Sequence, residues 1–380
     1  MKKKVIIGLS GGVDSSVAAF LLKKKGYEVE GIFMRNWDSS LNYDIQGNPF
    51  LKEPICPQEK DFQDALKVSR QLNIKCHKVD FSEQYWKHVF YIFLKDLKRN
   101  LTPNPDVLCN NHIKFSIFVK YAQKFQPDYI AMGHYAKIVT KQNQLILTKA
   151  CDQNKDQTYF LSQLKQQQLN NILFPLSDMH KNEVRKIALK ENLITANKKD
   201  STGICFIGER KFFTFLNNYL PIKKGAIKDM KGNYLQQHEG VAKYTIGQRK
   251  GLNLKVTKEN QAPWFVVGKD LKTNTLYVDQ NYDSPYLYSD SALIVNVVWR
   301  NKEIVPNKGR IAMKAKFRYR QLEQDIIINW LTFNTLKVEY PQKIKLVTPG
   351  QICAFYKDNF CFGAGMIQEV YLQNKKMLYT

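Results

Sequence analysis

The sequence predicts an α/β domain with a doubly wound parallel sheet over residues 1–208. A small basic β-rich module over 209–283 and a C-terminal antiparallel β-barrel over 284–380 are predicted to follow. Three observations carry this. Apolar, β-branched runs alternate with helical periodicity through the first half of the chain, the pattern of successive βα units. From Pro221 onward Gly225, Gly232, Gly240, Gly247, Gly251 and Gly268 punctuate short segments of little helical periodicity. From about residue 284, alternating runs recur with turn signals between them, as in a closed barrel. A chain of 380 residues also exceeds what one compact core organises.

The first element is the most informative. Val5-Ile6-Ile7-Gly8-Leu9 reads as a buried strand, Ser10-Gly11-Gly12 as a tight loop, and Val13-Asp14-Ser15-Ser16 as the first turn of a helix. Gly11 and Gly12 permit positive φ and close approach of another group to the backbone. The unpaired N–H groups of the helix start then face whatever sits above the strand end, and phosphate is the natural guest. Ser10, Ser15 and Ser16 add hydroxyls to that cradle. An ordinary capped βα turn is the plainer reading of a lone Gly-Gly pair. This string is neither a Walker A loop, which needs Gly-Lys-Ser/Thr, nor the dinucleotide fingerprint, whose glycines are spaced differently.

Gly26 is placed to end that helix at its C′ position, and residues 29–34 form the second predicted strand. An irregular polar stretch over 36–57 contains Gly47, Pro49, Pro54 and Pro57; so long a loop at a strand's carboxyl end borders a ligand site. Residues 58–72 read as helix, 76–80 as strand and 82–99 as a longer helix. Its aromatics Tyr85, Trp86, Phe90, Tyr91 and Phe93 are expected in the core. Pro103 and Pro105 then stiffen a loop over 102–110, which carries an acid, Asp106, and a thiol, Cys109. Helix is expected at 110–125 and a buried strand at 129–132, ending in Gly133-His134-Tyr135. A polar cluster, Lys155-Asp156-Gln157-Thr158-Tyr159, leads into a short helix. Another helix over 181–192 is expected to be capped by Ser177 or Asp178. Residues 199–208 hold a second thiol, Cys205, between Gly203 and Gly208. The barrel strands are expected at 292–299, 310–319, 325–330, 343–347, 351–356 and 363–371.

Composition narrows the class. No stretch approaches the apolar length that spans a bilayer, and the short apolar run after Met-Lys-Lys-Lys is not that of a signal peptide. No membrane association is expected. Seven cysteines without repeating spacing suit a reducing compartment, so a cytoplasmic setting is expected. Net charge is +24; residues 1–208 carry 31 basic and 20 acidic side chains, 209–280 carry 13 and 6, and 281–380 carry 14 and 8. Positive charge is therefore densest in the middle segment, which suits a polyanion such as RNA as well as a merely solvated surface. With no Cys-x-x-Cys and scattered histidines, no metal site is expected. Cys56, Cys76, Cys151, Cys353 and Cys361 are assigned to buried or incidental positions. Cys109 and Cys205 stand out by context, as exposed thiols suited to nucleophilic and exchange chemistry.

The string Ser-Gly-Gly-Val-Asp-Ser-Ser resembles the pyrophosphate-binding PP-loop of the ATP pyrophosphatase superfamily, whose fold is adenine nucleotide alpha hydrolase-like. Taken with Asn-Pro-Asp-x-x-Cys-Asn, Gly-His-Tyr-Ala, Lys-Asp-Gln-x-Tyr, Gly-Ile-Cys-Phe-Ile-Gly, Tyr-Thr-Ile-Gly-Gln-Arg-x-Gly-Leu and Arg-Tyr-Arg-Gln, the whole chain resembles the bacterial tRNA-specific 2-thiouridylases of the MnmA type. The resemblance implies ATP bound through Gly8, Leu9, Ser10, Gly11, Gly12, Val13, Asp14 and Ser15, with Met34 and Gly133 near the nucleotide and Mg²⁺ offsetting phosphate charge. It implies adenylation of the wobble uridine's C2 oxygen and sulfur carried on Cys205 as a persulfide from an upstream donor. Cys109 would then be the partner nucleophile, with a Cys109–Cys205 disulfide left behind, and Asp106 a general acid/base or orienting group. Asn104, Pro105 and Asp106 would hold the target base. His134, Lys155, Asp156, Gln157, Arg318, Tyr319 and Gln351 resemble contacts to the tRNA. Rival readings are a PP-loop synthetase of small molecules, an iron–sulfur RNA thiolase, and a non-catalytic RNA-binding module. The two thiols, the absence of Cys-x-x-Cys, and the intact Asp14, Asp106, Cys109 and Cys205 stand against these in turn.

Overall fold

The computed structural model describes residues 2–39, 41–44, 57–200, 212–221, 223–254, 262–300 and 309–379. The chain divides into two compact units. One comprises Met1–Phe90, Pro105–Phe215 and Asp358–Phe362; the other comprises Tyr91–Asn104, Leu216–Lys357 and Gly363–Thr380.

In the first unit, β1 (Lys4–Gly8), β2 (Glu28–Arg35), β3 (Lys75–Asp80), β4 (Tyr129–Ala131) and β7 (Ile172–Leu173) form a parallel sheet ordered β3-β2-β1-β4-β7. β1 is central because its side chains are apolar on both faces: Val5, Ile6 and Ile7 are fully buried. Helices α1 (Val13–Lys24) and α2 (Pro57–Gln71) connect the first three strands. Val17, Ala18, Ala19 and Leu22 of α1 join Val5, Ile7 and Val29 in one core cluster. The strand order reverses at β1, whose neighbours are β2 and β4. The loops leaving the carboxyl ends of β1 and β4 part there, which opens the crevice where such sheets bind ligands. A hairpin, β5 (Lys137–Lys141) with β6 (Gln144–Thr148), was not expected from the sequence.

Several expectations need correction. Helix begins at Pro105, not at Asn110: Pro105–Leu108 is helical and continues into Cys109–Ile117. Pro105 is suited to a first helical position, because its fixed φ fits and no N–H is needed there. Asp106 and Cys109 therefore ride on a helix. The helix Lys181–Lys190 is capped by His180, whose N–H donates to Glu183 Oε2 at 2.7 Å; Ser177 and Asp178 bond to each other instead. Tyr91 is 59% exposed, whereas Tyr85, Phe90 and Phe93 are buried as expected. The turns over Trp86–Phe90 are wider than α-helical, which displaces the simple 3.6-residue pattern beyond them. Gly26, at φ +87°, ends α1 as expected.

The second unit holds two sheets. The first contains β8 (Gly225–Asp229), β9 (Tyr234–His238), β10 (Phe265–Asp270) and β11 (Thr275–Asp279), in the order β10-β11-β8-β9. The second is a closed six-stranded antiparallel barrel of β12 (Tyr288–Trp299), β13 (Arg310–Lys316), β14 (Gln324–Thr332), β15 (Thr335–Lys345), β16 (Ile352–Lys357) and β17 (Phe360–Leu372). Closure is made by β12 against β17, where Trp299 faces Gly363. A Cβ on Gly363 would lie 2.1 Å from Val298 O, so only glycine admits that approach. β15 begins eight residues before the predicted 343. Pro341 hid that first half, although Leu336, Val338 and Tyr340 alternate inward with Lys337 and Glu339 between them.

Candidate active site

Between β1 and α1, residues 9–12 make the whole turn. The N-cap of α1 is Gly12, in extended conformation, with no side-chain cap. The N–H groups of the first turn are therefore left for a ligand, as an anion cradle requires. Gly11 has φ +71°, and a Cβ there would lie 2.1 Å from Asp61 O. Lys198 fixes the same turn, donating to Gly11 O at 2.9 Å and to the carboxylates of Asp61 and Asp64 at 2.7 and 2.6 Å. Ser15 Oγ accepts from Ser10 N at 3.2 Å and donates to Gly12 O at 3.1 Å. It also lies 3.1 Å from Ser10 Oγ.

The expected nucleotide residues converge on this turn. A Cβ on Gly8 would lie 2.8 Å from Met132 Sδ and 3.4 Å from Met34 Cε, so the two methionines flank the strand end. A Cβ on Gly133 would lie 3.0 Å from Ser15 N, so the chain leaving β4 presses on the first turn of α1. Leu9 and Val13 are buried beneath.

Charge is organised around Asp14. Its Oδ1 accepts from Tyr135 Oη at 2.8 Å and from Lys181 Nζ at 2.6 Å. Lys181 also pairs with Asp200 at 2.8 Å, and Asp200 is held by Lys155 and Arg185 at 2.8 and 2.7 Å. Partial burial would raise the Asp200 carboxyl; hydrogen bonds from Lys155 and Lys181 outweigh it and hold the group at about 2. Lys155 thus joins the cradle through Asp200 and Lys181. The sequence reading missed Tyr135, Lys181, Arg185 and Lys198. Only Tyr135 left a signal, inside Gly-His-Tyr-Ala.

Asp156 is 3% exposed; its carboxylate accepts from Ala150 N and Thr158 Oγ1 at 3.1 and 2.7 Å. Gln157 Oε1 accepts from Tyr135 N at 2.9 Å. These two side chains shape the turn that presents Lys155 and Tyr135.

Asp106 and Cys109 lie about one helical turn apart. Cys109 is 3% exposed, not the exposed thiol expected, because Pro105–Ile117 is one face of the packed domain and not a free loop. Burial pushes its thiol up to about 11; the Lys114 charge opposes that shift and Asp106 adds to it. Burial also raises the Asp106 carboxyl against the pull of Lys114. His134 is buried with its ring centroid 5.6 Å from Phe115 and 6.0 Å from Phe174. Burial, aided by Lys114, keeps it neutral, and its Nδ1 has no hydrogen-bond partner among the described residues. Cys205 and Cys56 lie outside the described residues. Of the other thiols, Cys353 and Cys361 are buried, Cys76 is half-buried, and Cys151 is exposed with its sulfur 3.5 Å from His180 Nε2.

In the second unit, Arg318 donates to Thr348 Oγ1 and Ile246 O at 2.6 and 3.1 Å. Gln351 N–H donates to Thr348 O at 3.2 Å, and Gln351 Nε2 donates to Thr102 O at 2.7 Å. Arg318 and Gln351 therefore meet at Thr348, and Gln351 braces the backbone two residues before Asn104. Tyr319 is half-buried beside Arg318.

Fold and cradle together define a nucleotide-binding α/β domain followed by two β modules. Family profiles match in that order: a "tRNA methyl transferase HUP domain" over residues 3–209, a "tRNA methyl transferase PRC-barrel domain" over 213–280, and an "Aminomethyltransferase beta-barrel domain" over 289–367. Among curated proteins, the chain is 62% identical over 381 residues to the tRNA-specific 2-thiouridylase MnmA of Phytoplasma australiense, covering 100% of both chains. It is 57% identical to that of Acholeplasma laidlawii, again over 100% of both. To that of Mycoplasmopsis synoviae it is 49% identical, over 100% of this chain and 99% of the other. The chain belongs to the tRNA-specific 2-thiouridylase family.

Proposed function

We propose that this chain converts the wobble uridine of tRNA to 2-thiouridine, using ATP to activate the base and a cysteine persulfide to supply sulfur. The observation that carries the reading is the phosphate cradle at the point where strand order reverses, in a chain whose full length belongs to the 2-thiouridylase family. The first-turn amides of α1, with Ser10 and Ser15, hold the pyrophosphate portion of ATP, and Lys181 neutralises charge beside it. The uridine C2 oxygen attacks the α-phosphorus; its bond to the bridging oxygen breaks and pyrophosphate leaves. Asp14 and Asp200 are already engaged by Lys181, so a protein-held ion does not fit between them. Mg²⁺ enters as part of the ATP complex, offsetting phosphate charge.

Cys205 carries the persulfide, received from an upstream sulfur donor. Its terminal sulfur adds to C2, and Cys109 thiolate attacks the Cys205 sulfur, breaking the S–S bond and leaving one sulfur on the base. AMP departs from C2, and a thiol reductant later supplies two electrons to the Cys109–Cys205 disulfide. Asp106, one turn from Cys109, moves or holds the proton at the reacting base. Asn104 and Pro105 with Asp106 cradle that base, and His134, Lys155, Asp156, Gln157, Arg318, Tyr319 and Gln351 line or support the tRNA path. We assign residues 1–208, 209–283 and 284–380 to catalytic, central and barrel domains. Among the described residues no helix is long and apolar enough to cross a membrane, and cysteine usage favours a cytoplasmic setting.

The test is nucleoside analysis of bulk tRNA after incubation with ATP, Mg²⁺ and a persulfide source. Accumulation of 2-thiouridine that requires all three supports the reading. ATP–pyrophosphate exchange that proceeds equally without tRNA favours a small-molecule synthetase instead.

A further inference from the structure

The helix that carries Asp106 and Cys109 is not regular. Cys109–Ile117 is wound with widened turns, and the N–H of Phe118 reaches back five residues to Ile113 O. Winding with i→i+5 hydrogen bonds turns position i+5 toward the face of position i, where a regular α-helix would send it to the far side. Lys114 is five residues beyond Cys109. Phe115, at φ −105° and ψ 16°, breaks helical geometry immediately after it. That break is held in place by packing, since Phe115 is 1% exposed and lies against His134 and Phe174. The widened turn and the anchored kink therefore bracket Lys114, between Cys109 and the fixed Phe115. Its charge acts on Asp106, Cys109 and His134. Among the described residues Lys114 forms no ion pair, so its half-buried ammonium is uncommitted before substrate arrives.

We propose that Lys114 is a positioning residue for sulfur transfer: the ammonium that stabilises the Cys109 thiolate as it forms, set over Cys109 by the widened turn. The charged groups acting on Cys109 are Asp106 and Lys114, of opposite effect. Without the lysine only burial and the neighbouring carboxylate would act on the thiol, both opposing ionisation, and the thiolate would be scarcer still. π-type turns recur at functional sites because they place a side chain that a regular helix would aim elsewhere.

The proposal rests on Cys109 as the nucleophile, so its test reads that thiol directly. In the full-length protein, methyl methanethiosulfonate modification of Cys109 is followed by peptide mass spectrometry between pH 6.5 and 9.5, with Cys76 as internal reference. K114M should slow Cys109 modification about tenfold at pH 8, the effect of roughly one unit on a thiol below its pKa, and leave Cys76 unchanged. K114R should stay within about twofold of wild type. Single-turnover thiolation by K114M should slow in parallel and recover as pH is raised by one unit. Should K114M fail to fold, K114Q carries the same expectation. Equal rates in wild type and K114M, or a K114R variant as slow as K114M, would overturn the proposal. Normal thiol rates in K114M with no thiolation by wild type would sink the functional reading of Cys109 as well.

Discussion

Lys181 Nζ lies 2.6 Å from Asp14 Oδ1 and 2.8 Å from Asp200 Oδ1, so one ammonium ties the first turn of the phosphate cradle to the chain that leads toward Cys205. Lys181 is 12% exposed, while the two carboxylates are each about one third exposed. Solvent therefore screens part of the pair energy, and its loss should cost under about 1 kcal/mol of stability. The functional cost should be larger, because ATP brings negative charge to the same place. K181M should lower kcat/KM for ATP in tRNA-dependent pyrophosphate exchange by at least about tenfold, with a small shift in urea midpoint. A large loss of stability with normal exchange would reduce Lys181 to a structural strut.

Asp200 makes the acid limb of stability predictable. Its folded-state carboxyl sits at about 2, below the usual value near 3.9, because Lys155 and Lys181 outweigh its burial. A depressed carboxyl contributes stability that is fully present above about pH 4 and lost as pH falls through about 2. Urea midpoints of wild type and D200N should therefore differ at pH 5 and converge by pH 2. A constant difference across that range would assign the effect to shape and not to charge.

The parallel sheet, the cradle and the barrel were legible because each rests on local pattern: β-branched runs, a Gly-Gly turn before a helix, alternating strands. Gly133 was also legible, since the sequence places it at a strand end where the ligand crevice falls. The Asp14–Lys181–Asp200 chain was not. Its members are widely separated in sequence and sit in ordinary charged surroundings, so only folding reveals that they meet. The burial of Cys109 was not legible because a closely spaced proline pair suits a stiff loop as well as a helix start. Pro105 instead starts a helix, and the widened turns beyond it obey no period that a hydrophobic pattern would disclose.

Gly11 should tolerate no side chain. Its φ of +71° costs any L-residue roughly 1–2 kcal/mol, and a Cβ would collide with Asp61 O at 2.1 Å. Backbone on both sides leaves no flexible atom to yield, so the turn itself must open. G11A should lose pyrophosphate exchange and at least about 2 kcal/mol of stability, read from urea unfolding. By contrast Gly26, also at positive φ but with nothing among the described residues near its absent Cβ, should show the conformational cost alone. Similar losses in G11A and G26A would remove the collision with α2 from the account.

Lys269 should give the protein an alkaline rise in stability. Its side chain is fully buried on β10, where Nζ donates to Tyr244 O at 3.2 Å and to Asn100 O at 2.5 Å. Burial lowers it to about 7. Between pH 7 and about 10.4 the unfolded chain holds this proton and the folded chain has released it. Stability must then increase with pH across that window, by at most about 1.4 kcal/mol per unit. Below pH 7 the folded state takes up the same proton and the slope disappears. K269M removes the titrating group and also leaves Asn100 O and Tyr244 O without this donor, so its baseline should be lower at high pH. The variant should nevertheless show a flatter profile than wild type in urea midpoints measured from pH 6 to 10. Parallel profiles for the two proteins would mean that Lys269 stays charged in the fold, held by those two carbonyls alone.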